Sequence, residues 1–236
     1  MKTLLTYLYI SYRKITGLPF FNVKENPDLL NSAYSAALEK DIVIAHSFAN
    51  FSWFDAEQEC EDDVRQKLRL NKNYIQQAQK IIAEITKEAG SKKVITVGVH
   101  IRRGDRATDK LFEMGYRVPE KSYFTKAMTY FRKKYKDVLF IVTTDDRNWV
   151  AENFQKQHYP DVYLAPKNKF ELDLALLIEC NYVIQSVGTF SRWAAYLNGK
   201  ESVHYRYEIQ CTTLACFKLH NSSLSPYQKH WITMIN

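Results

Sequence analysis

The stretch Val97-Gly98-Val99-His100-Ile101-Arg102-Arg103-Gly104-Asp105 decides how this chain is read. Residues 94–99 are apolar and β-branched apart from one Thr and one Gly, so they read as a strand. The charged residues that follow stand just past its carboxyl end. In a parallel sheet that is where ligands bind.

Working outward, helices and strands alternate. Residues 120–136 form a helix with Phe124, Ala127, Met128, Phe131 and Tyr135 on one face. Then come a strand at 138–143, a helix at 148–157, a strand at 162–165, a helix at 172–180, a strand at 182–186, a helix at 190–198 and a closing strand at 202–205. This spacing predicts right-handed βαβ units and a mostly parallel sheet. Upstream, Ile75, Ala78, Ile82, Ile85 and Ala89 recur at helical spacing over 74–89, and 41–45 reads as a short buried strand. Residues 55–69, acidic early and basic late, read as a surface helix. Asn26-Pro27-Asp28 reads as a turn or helix start, and the rest of 1–40 carries little pattern. A boundary near residue 92 follows from Ala89-Gly90-Ser91, which can end a helix.

Composition sets the class. With 236 residues, 46% hydrophobic and 25% charged, the chain can bury a core and is neither collagen, coiled coil nor extended disorder. The 16 Tyr and 13 Phe are read first as core and amphipathic surface, and second as a carbohydrate-facing cleft. Net charge is 33 − 26 = +7. The charge is scattered, and its densest run, Arg132-Lys133-Lys134-Tyr135-Lys136, reads as a solvated helix end favoured by the macrodipole. Without zinc-finger or RNA-binding signatures, nucleic acid is not expected as a partner.

Leu4, Leu5, Leu8 and Ile10 are interrupted by Tyr12-Arg13-Lys14, short of the about 20 apolar residues of a membrane span. No clear cleavage site follows, so this segment reads as amphipathic or as the stump of a longer chain. Cys60, Cys180, Cys211 and Cys216 make no C-x-x-C, which argues against zinc ribbons and thioredoxin-like sites. Cys180 reads as a buried thiol, and Cys211 with Cys216 could close a short loop in an oxidising compartment. The sequons Asn50-Phe51-Ser52 and Asn221-Ser222-Ser223 lean toward a secretory location.

Three loops should converge at one edge of the sheet: 100–105, Thr144-Asp145-Asp146 and Val187-Gly188-Thr189-Phe190. Arg102 and Arg103 offer guanidinium forks that match phosphate oxygens. Gly188-Thr189 opens a helix, whose free N–H groups and dipole attract an anion. Adjacent loop residues rarely face the same way, so one arginine is expected on phosphate and the other on Asp105 or another structural acid. The competing readings are a surface salt-bridge loop and a plain N-cap. No Asp-x-Asp occurs, so the cation role on a diphosphate would fall to arginine and the helix end, with no metal. The absence of Walker, G-x-G-x-x-G and G-x-S-x-G motifs counts against NTPases, dinucleotide dehydrogenases and α/β-hydrolases.

The quoted stretch resembles the V-G-V-H-x-R-R-G-D motif of the galactoside α-1,2-fucosyltransferases, glycosyltransferase family 11. Asp173-Leu174-Ala175-Leu176-Leu177, Cys180, Gly188-Thr189-Phe190 and Trp193-Ala194-Ala195-Tyr196-Leu197 resemble the family's second block, and residues 47–54 match more weakly an aromatic segment upstream. The resemblance covers residues 42–210. It implies an α/β, GT-B-like fold: a Rossmann-type parallel sheet domain flanked by helices, at 93–236, binding GDP-L-fucose, and an incomplete acceptor-side lobe at 1–92. It implies metal-independent, cofactor-free, inverting transfer of fucose to the 2-hydroxyl of a terminal β-galactose. The expected partners are therefore GDP-L-fucose and a β-galactoside-terminated glycan, and the expected location is the Golgi membrane or lumen. Oligomeric state stays open.

By the same resemblance Arg102 contacts the diphosphate and His100 the nucleoside side of GDP. Asp173, by similarity to the related α-1,6-fucosyltransferases, accepts from guanine N1–H and N2–H. Backbone groups of Thr189 and Phe190 hold phosphate oxygens; Arg103, Asp145 and Gly188, from the converging strand-end loops, complete the expected donor set. Asp105, Asp109 and Glu113 are the candidate bases. The competing readings are a helix N-cap for Asp173 and a satisfied buried histidine for His100. The chain departs from the family in lacking the G-R-x-G-N-Q segment, in Arg106-Ala107 after the motif, and in Ser191-Arg192, where a small and an apolar residue are usual. A catalytically inactive GDP-sugar- or glycan-binding pseudoenzyme is the alternative function.

Overall fold

The computed structural model describes residues 20–22, 43–45, 65, 68, 70–90, 94–113, 117–206 and 231–235. The helix expected over 55–69 (positions 65 and 68 apart), Cys60, Cys211, Cys216, both sequons and the segment 4–14 lie outside them. The chain divides into two compact units, residues 1–72 and 73–236; the division falls at the first residue of the helix Lys72–Glu88, whereas the sequence places a lobe boundary near residue 92. In the first unit, β1 (Phe20–Asn22) pairs in parallel with β2 (Val43–Ala45), Phe20 opposite Val43. β2 is the core of the strand expected at 41–45, while β1 arises in a stretch without pattern.

The second unit opens with α1 (Lys72–Glu88), whose buried residues Ala78 and Ile85 belong to the expected stripe. The remaining elements are β3 (Ile95–Ile101), α2 (Asp109–Glu113), α3 (Lys121–Lys134), β4 (Val138–Thr144), α4 (Arg147–Asn153) and β5 (Val162–Leu164). They continue with α5 (Phe170–Glu179), β6 (Tyr182–Ile184), α6 (Thr189–Asn198), β7 (Ser202–Tyr205) and β8 (Trp231–Met234). The sheet order is β5-β4-β3-β6-β7-β8, every pair parallel. Chain order runs outward from β3 in both directions, so the topology reverses between β3 and β6 and leaves a crevice at their carboxyl ends. This is the Rossmann-type α/β domain that the alternation implied.

Packing follows from the sequence. Six of the seven β3 residues are buried, as a central parallel strand requires. α3 covers the sheet with Tyr123, Phe124, Ala127, Met128 and Phe131. α5 lies against β3 at Gly98: a β-carbon there would sit 3.0 Å from Leu177 Cδ2 and 3.1 Å from Leu177 Cα. The helix can approach this closely because the strand has no side chain at that point. Gly98→Ala is expected to push α5 outward and lower stability by about 1–3 kcal/mol, read as a lower Tm or urea midpoint.

Two readings are corrected. β8 continues the series beyond β7, pairing Ser202 with Trp231 through Tyr205 with Met234. It escaped notice because it stands beyond the end of the helix–strand alternation from which the other strands were read. The basic run at the end of α3 is not simply solvated: Arg132 Nε and Nη2 donate to Asp161 at 2.7 and 2.9 Å, and Lys134 Nζ donates to Glu201 at 2.7 Å. These partly exposed pairs add little energy each, but they anchor the helix end at two places. Cys180 is buried, as expected, and burial pushes its thiol up to about 12. Among the described residues no helix is long and apolar enough to cross a membrane.

Candidate functional site

The loops after β3, β4 and β6 meet at the crevice. The Arg102 N–H donates to Ser186 Oγ at 3.2 Å, and the Arg103 N–H donates to Asp145 Oδ1 at 2.8 Å. Gly104 fits closely over Asp145, whose Oδ2 would lie 3.0 Å from a β-carbon at that position. The Arg102–Arg103 backbone is therefore tied to both neighbouring strand ends.

The two arginines diverge, as adjacent loop residues should. Arg103 lies over the Trp149 ring, its Cζ 4.4 Å from the centroid, with Nη1 donating to the Pro119 carbonyl at 3.4 Å and Nε 4.0 Å from Asp146 Oδ2. Asp146 itself caps α4 by accepting the Trp149 N–H at 3.1 Å. Arg102 turns toward α6. A β-carbon built on Gly188 would lie 3.5 Å from Arg102 Nη1. Gly188 is the N-cap of α6 with φ +90°, a conformation that side-chain-bearing residues rarely adopt, and no side chain caps the helix. The first amides of α6 and a guanidinium thus share one small region, a geometry suited to an anion.

Arg102 is also the arginine that holds Asp105, through Nε at 3.1 Å and Nη2 at 3.0 and 2.9 Å. The arginine that faces the mouth of α6 is thus also the one that holds a structural acid, so the two roles expected of separate arginines are not divided in that way. The hydrogen bonds from Arg102 hold the Asp105 carboxyl below its usual range, against a smaller upward push from burial. A carboxylate so occupied is a poor proton acceptor and a good fixture for the guanidinium. Asp109 and Glu113 are exposed on the five-residue α2, and the structure does not bring them into the Arg102–Gly188 cluster.

His100, at the end of β3, is buried, and its ring centroid lies 5.0 Å from that of Phe190 on α6. Burial, then the charge of Arg102, lowers its pKa to about 3, so the ring is neutral. Its buried Nδ1 has no hydrogen-bond partner among the described residues, which sets it apart from a satisfied core histidine.

Asp173 lies in the first turn of α5, where Lys169, not Asp173, is the N-cap. Burial raises its pKa to about 6, opposed by the Asn168 Nδ2 hydrogen bond at 3.2 Å and the charge of Arg147. It lines a cleft of about 380 Å³ with Thr144, Asp145, Arg147, Lys167 and Asn168. A half-buried carboxylate with a raised pKa in a polar cleft is a candidate ligand group. Asp145 therefore joins the two regions, carrying the Arg103 N–H and lining the cleft. Sequence reasoning missed Asn168 and Arg147 beside Asp173, the Trp149 seat of Arg103, and Ser186.

Known proteins place this geometry in context. Galactoside alpha-(1,2)-fucosyltransferase 1 of Rattus norvegicus is 34% identical over 147 residues, covering 61% of this chain and 39% of the relative. Galactoside alpha-(1,2)-fucosyltransferase 2 of Hylobates lar is 32% identical over 146 residues, covering 60% and 42%. The chain thus spans about two fifths of the length of the curated relatives it matches. A crystal structure of POFUT1 in complex with GDP superposes with a TM-score of 0.48 at 11% identity, covering 75% of this chain and 56% of that one. The family model described as Glycosyl transferase family 11 matches residues 27–234, from before β2 to the last residue of β8, and the chain belongs to that family.

Proposed function

We propose that this chain carries the donor-binding machinery of an inverting, metal-independent galactoside α-1,2-fucosyltransferase, which moves L-fucose from GDP-L-fucose to the 2-hydroxyl of a terminal β-galactose. The observation that carries the reading is the Arg102 guanidinium beside the uncapped start of α6, at the topological switch point of the sheet. The names of the relatives supply the transferred sugar and the acceptor class.

On this reading the diphosphate lies between Arg102 and the amides of Thr189 and Phe190, His100 faces the nucleoside side, and guanine enters the cleft of Asp173. As the bond from fucose C1 to the bridging oxygen breaks, negative charge grows on the leaving diphosphate. Arg102 and the helix dipole, already in place, stabilise that charge more in the transition state than in the ground state. Asp105 keeps the guanidinium aimed. A base on the acceptor side takes the proton of the 2-hydroxyl. Of the three acids after the motif, Asp105 is the least suited to that role, because Arg102 occupies it.

The test is GDP release from GDP-fucose by the full chain. It should require a β-galactoside and persist in EDTA. Stabilisation by GDP without turnover on any galactoside supports the inactive sugar-nucleotide-binding alternative instead. Loss of turnover in EDTA, restored by a divalent cation, overturns metal independence.

A further inference from the structure

We propose that Ser186 and Ser191 are positioning residues, a two-hydroxyl latch that fixes the start of α6 against the Arg102 backbone; the inference rests on the donor-site reading above. The β3–β6 ladder pairs Val97–Val99 with Tyr182–Ile184 and ends there. Arg102 and Ser186 lie beyond the last paired residues, where nothing in the ladder sets the distance between the strand ends. Two side chains take over. Ser186 Oγ accepts the Arg102 N–H at 3.2 Å. Ser191 Oγ, in the first turn of α6, accepts the Ser186 N–H at 3.2 Å and donates to the Ser186 carbonyl at 3.3 Å.

Both serines are buried, 1% and 0% exposed, so neither hydroxyl can exchange its partners for bulk water. The connection runs Arg102 backbone, Ser186, Ser191, α6. It spans the crevice in which Arg102 and the Gly188–Thr189 helix mouth face each other. Gly188, with φ +90°, lets the chain turn tightly enough for Ser191 to reach back to Ser186. The work of the Ser191 hydroxyl is to hold the two halves of the anion cradle at a fixed separation before any ligand arrives.

The experiment is calorimetry of GDP binding to wild type, Ser191→Ala, Ser186→Ala, and each combined with Arg102→Ala, run well below every Tm. Each serine variant should bind GDP about tenfold more weakly than wild type. In the Arg102→Ala background the same change should have less than a twofold effect, since the latch acts through Arg102. A variant with a lower Tm but wild-type GDP affinity overturns the latch and leaves a purely structural hydroxyl. An undiminished effect in the Arg102→Ala background also overturns it. A wild type that binds no GDP overturns the donor-site reading itself, which these variants alone cannot do. If the serine variants fail to fold, amide hydrogen exchange on the wild type decides. The Arg102 N–H should already be protected without GDP, and exchange there at the rate of a free loop overturns the proposal.

Discussion

Replacing Arg102 with alanine is expected to lower fucosyl transfer about 10²–10⁴-fold, roughly 3–5 kcal/mol of transition-state stabilisation, with a smaller loss of donor affinity. The asymmetry has a physical basis. On the proposed reading the ground-state diphosphate already carries its charge and would keep the α6 amides without Arg102. The extra charge on the leaving group appears only as the bond to C1 breaks. Arg102→Lys should recover part of the rate but not all of it. Nε and Nη2 hold Asp105 while Nη1 faces Gly188, and a single ammonium cannot serve both sides at once. Steady-state kinetics with a β-galactoside acceptor checks both: kcat/KM should fall mainly through kcat. Equal activity of Arg102→Ala and wild type would remove Arg102 from the mechanism.

GDP affinity should depend on pH through Asp173. Burial holds its pKa near 6, so the empty cleft takes up a proton as pH falls through that value. Guanine N1–H and N2–H need an ionised acceptor. Binding therefore favours the deprotonated form and releases a proton below about pH 6. The sign follows: Kd is flat above about pH 7 and rises up to tenfold per unit as pH drops below 6. Asp173→Asn should bind GDP about 10–100-fold more weakly at pH 7.5, because its amide offers one acceptor oxygen and a mismatched N–H group. It should also lose the pH dependence. Calorimetry across pH 5–8 in buffers of different ionisation enthalpy reads both the affinity and the proton. A variant as tight as wild type at neutral pH would take guanine out of this cleft.

The sheet was legible because its strands are buried on both faces and read as apolar runs; α1 and α3 showed through helical periodicity. β8 and β1 did not, since both stand outside the helix–strand alternation from which the other strands of the sheet were read. At the site, motif spacing led to Arg102, Gly188 and Asp173, and the topology brought Arg102 and Gly188 together. Adjacency alone could not tell Arg102 from Arg103. The difference lies in Trp149, 46 positions away from Arg103, whose ring seats one guanidinium and leaves the other to α6. Ser186 and Ser191 were hidden for a similar reason. A buried hydroxyl has no sequence signature, because what it bonds is set by strand ends far apart in the chain.

The reversal of strand order at β3 has a consequence for biosynthesis. β3 emerges from the ribosome ahead of its second neighbour, β6, which follows about eighty residues later. At about 5–20 residues per second the nascent chain leaves one hydrogen-bonding edge of its central strand unpaired for roughly 4–16 s. The seam so delayed is the one whose two lips carry Arg102 and the mouth of α6, so the cradle is assembled only once β6 and α6 have docked.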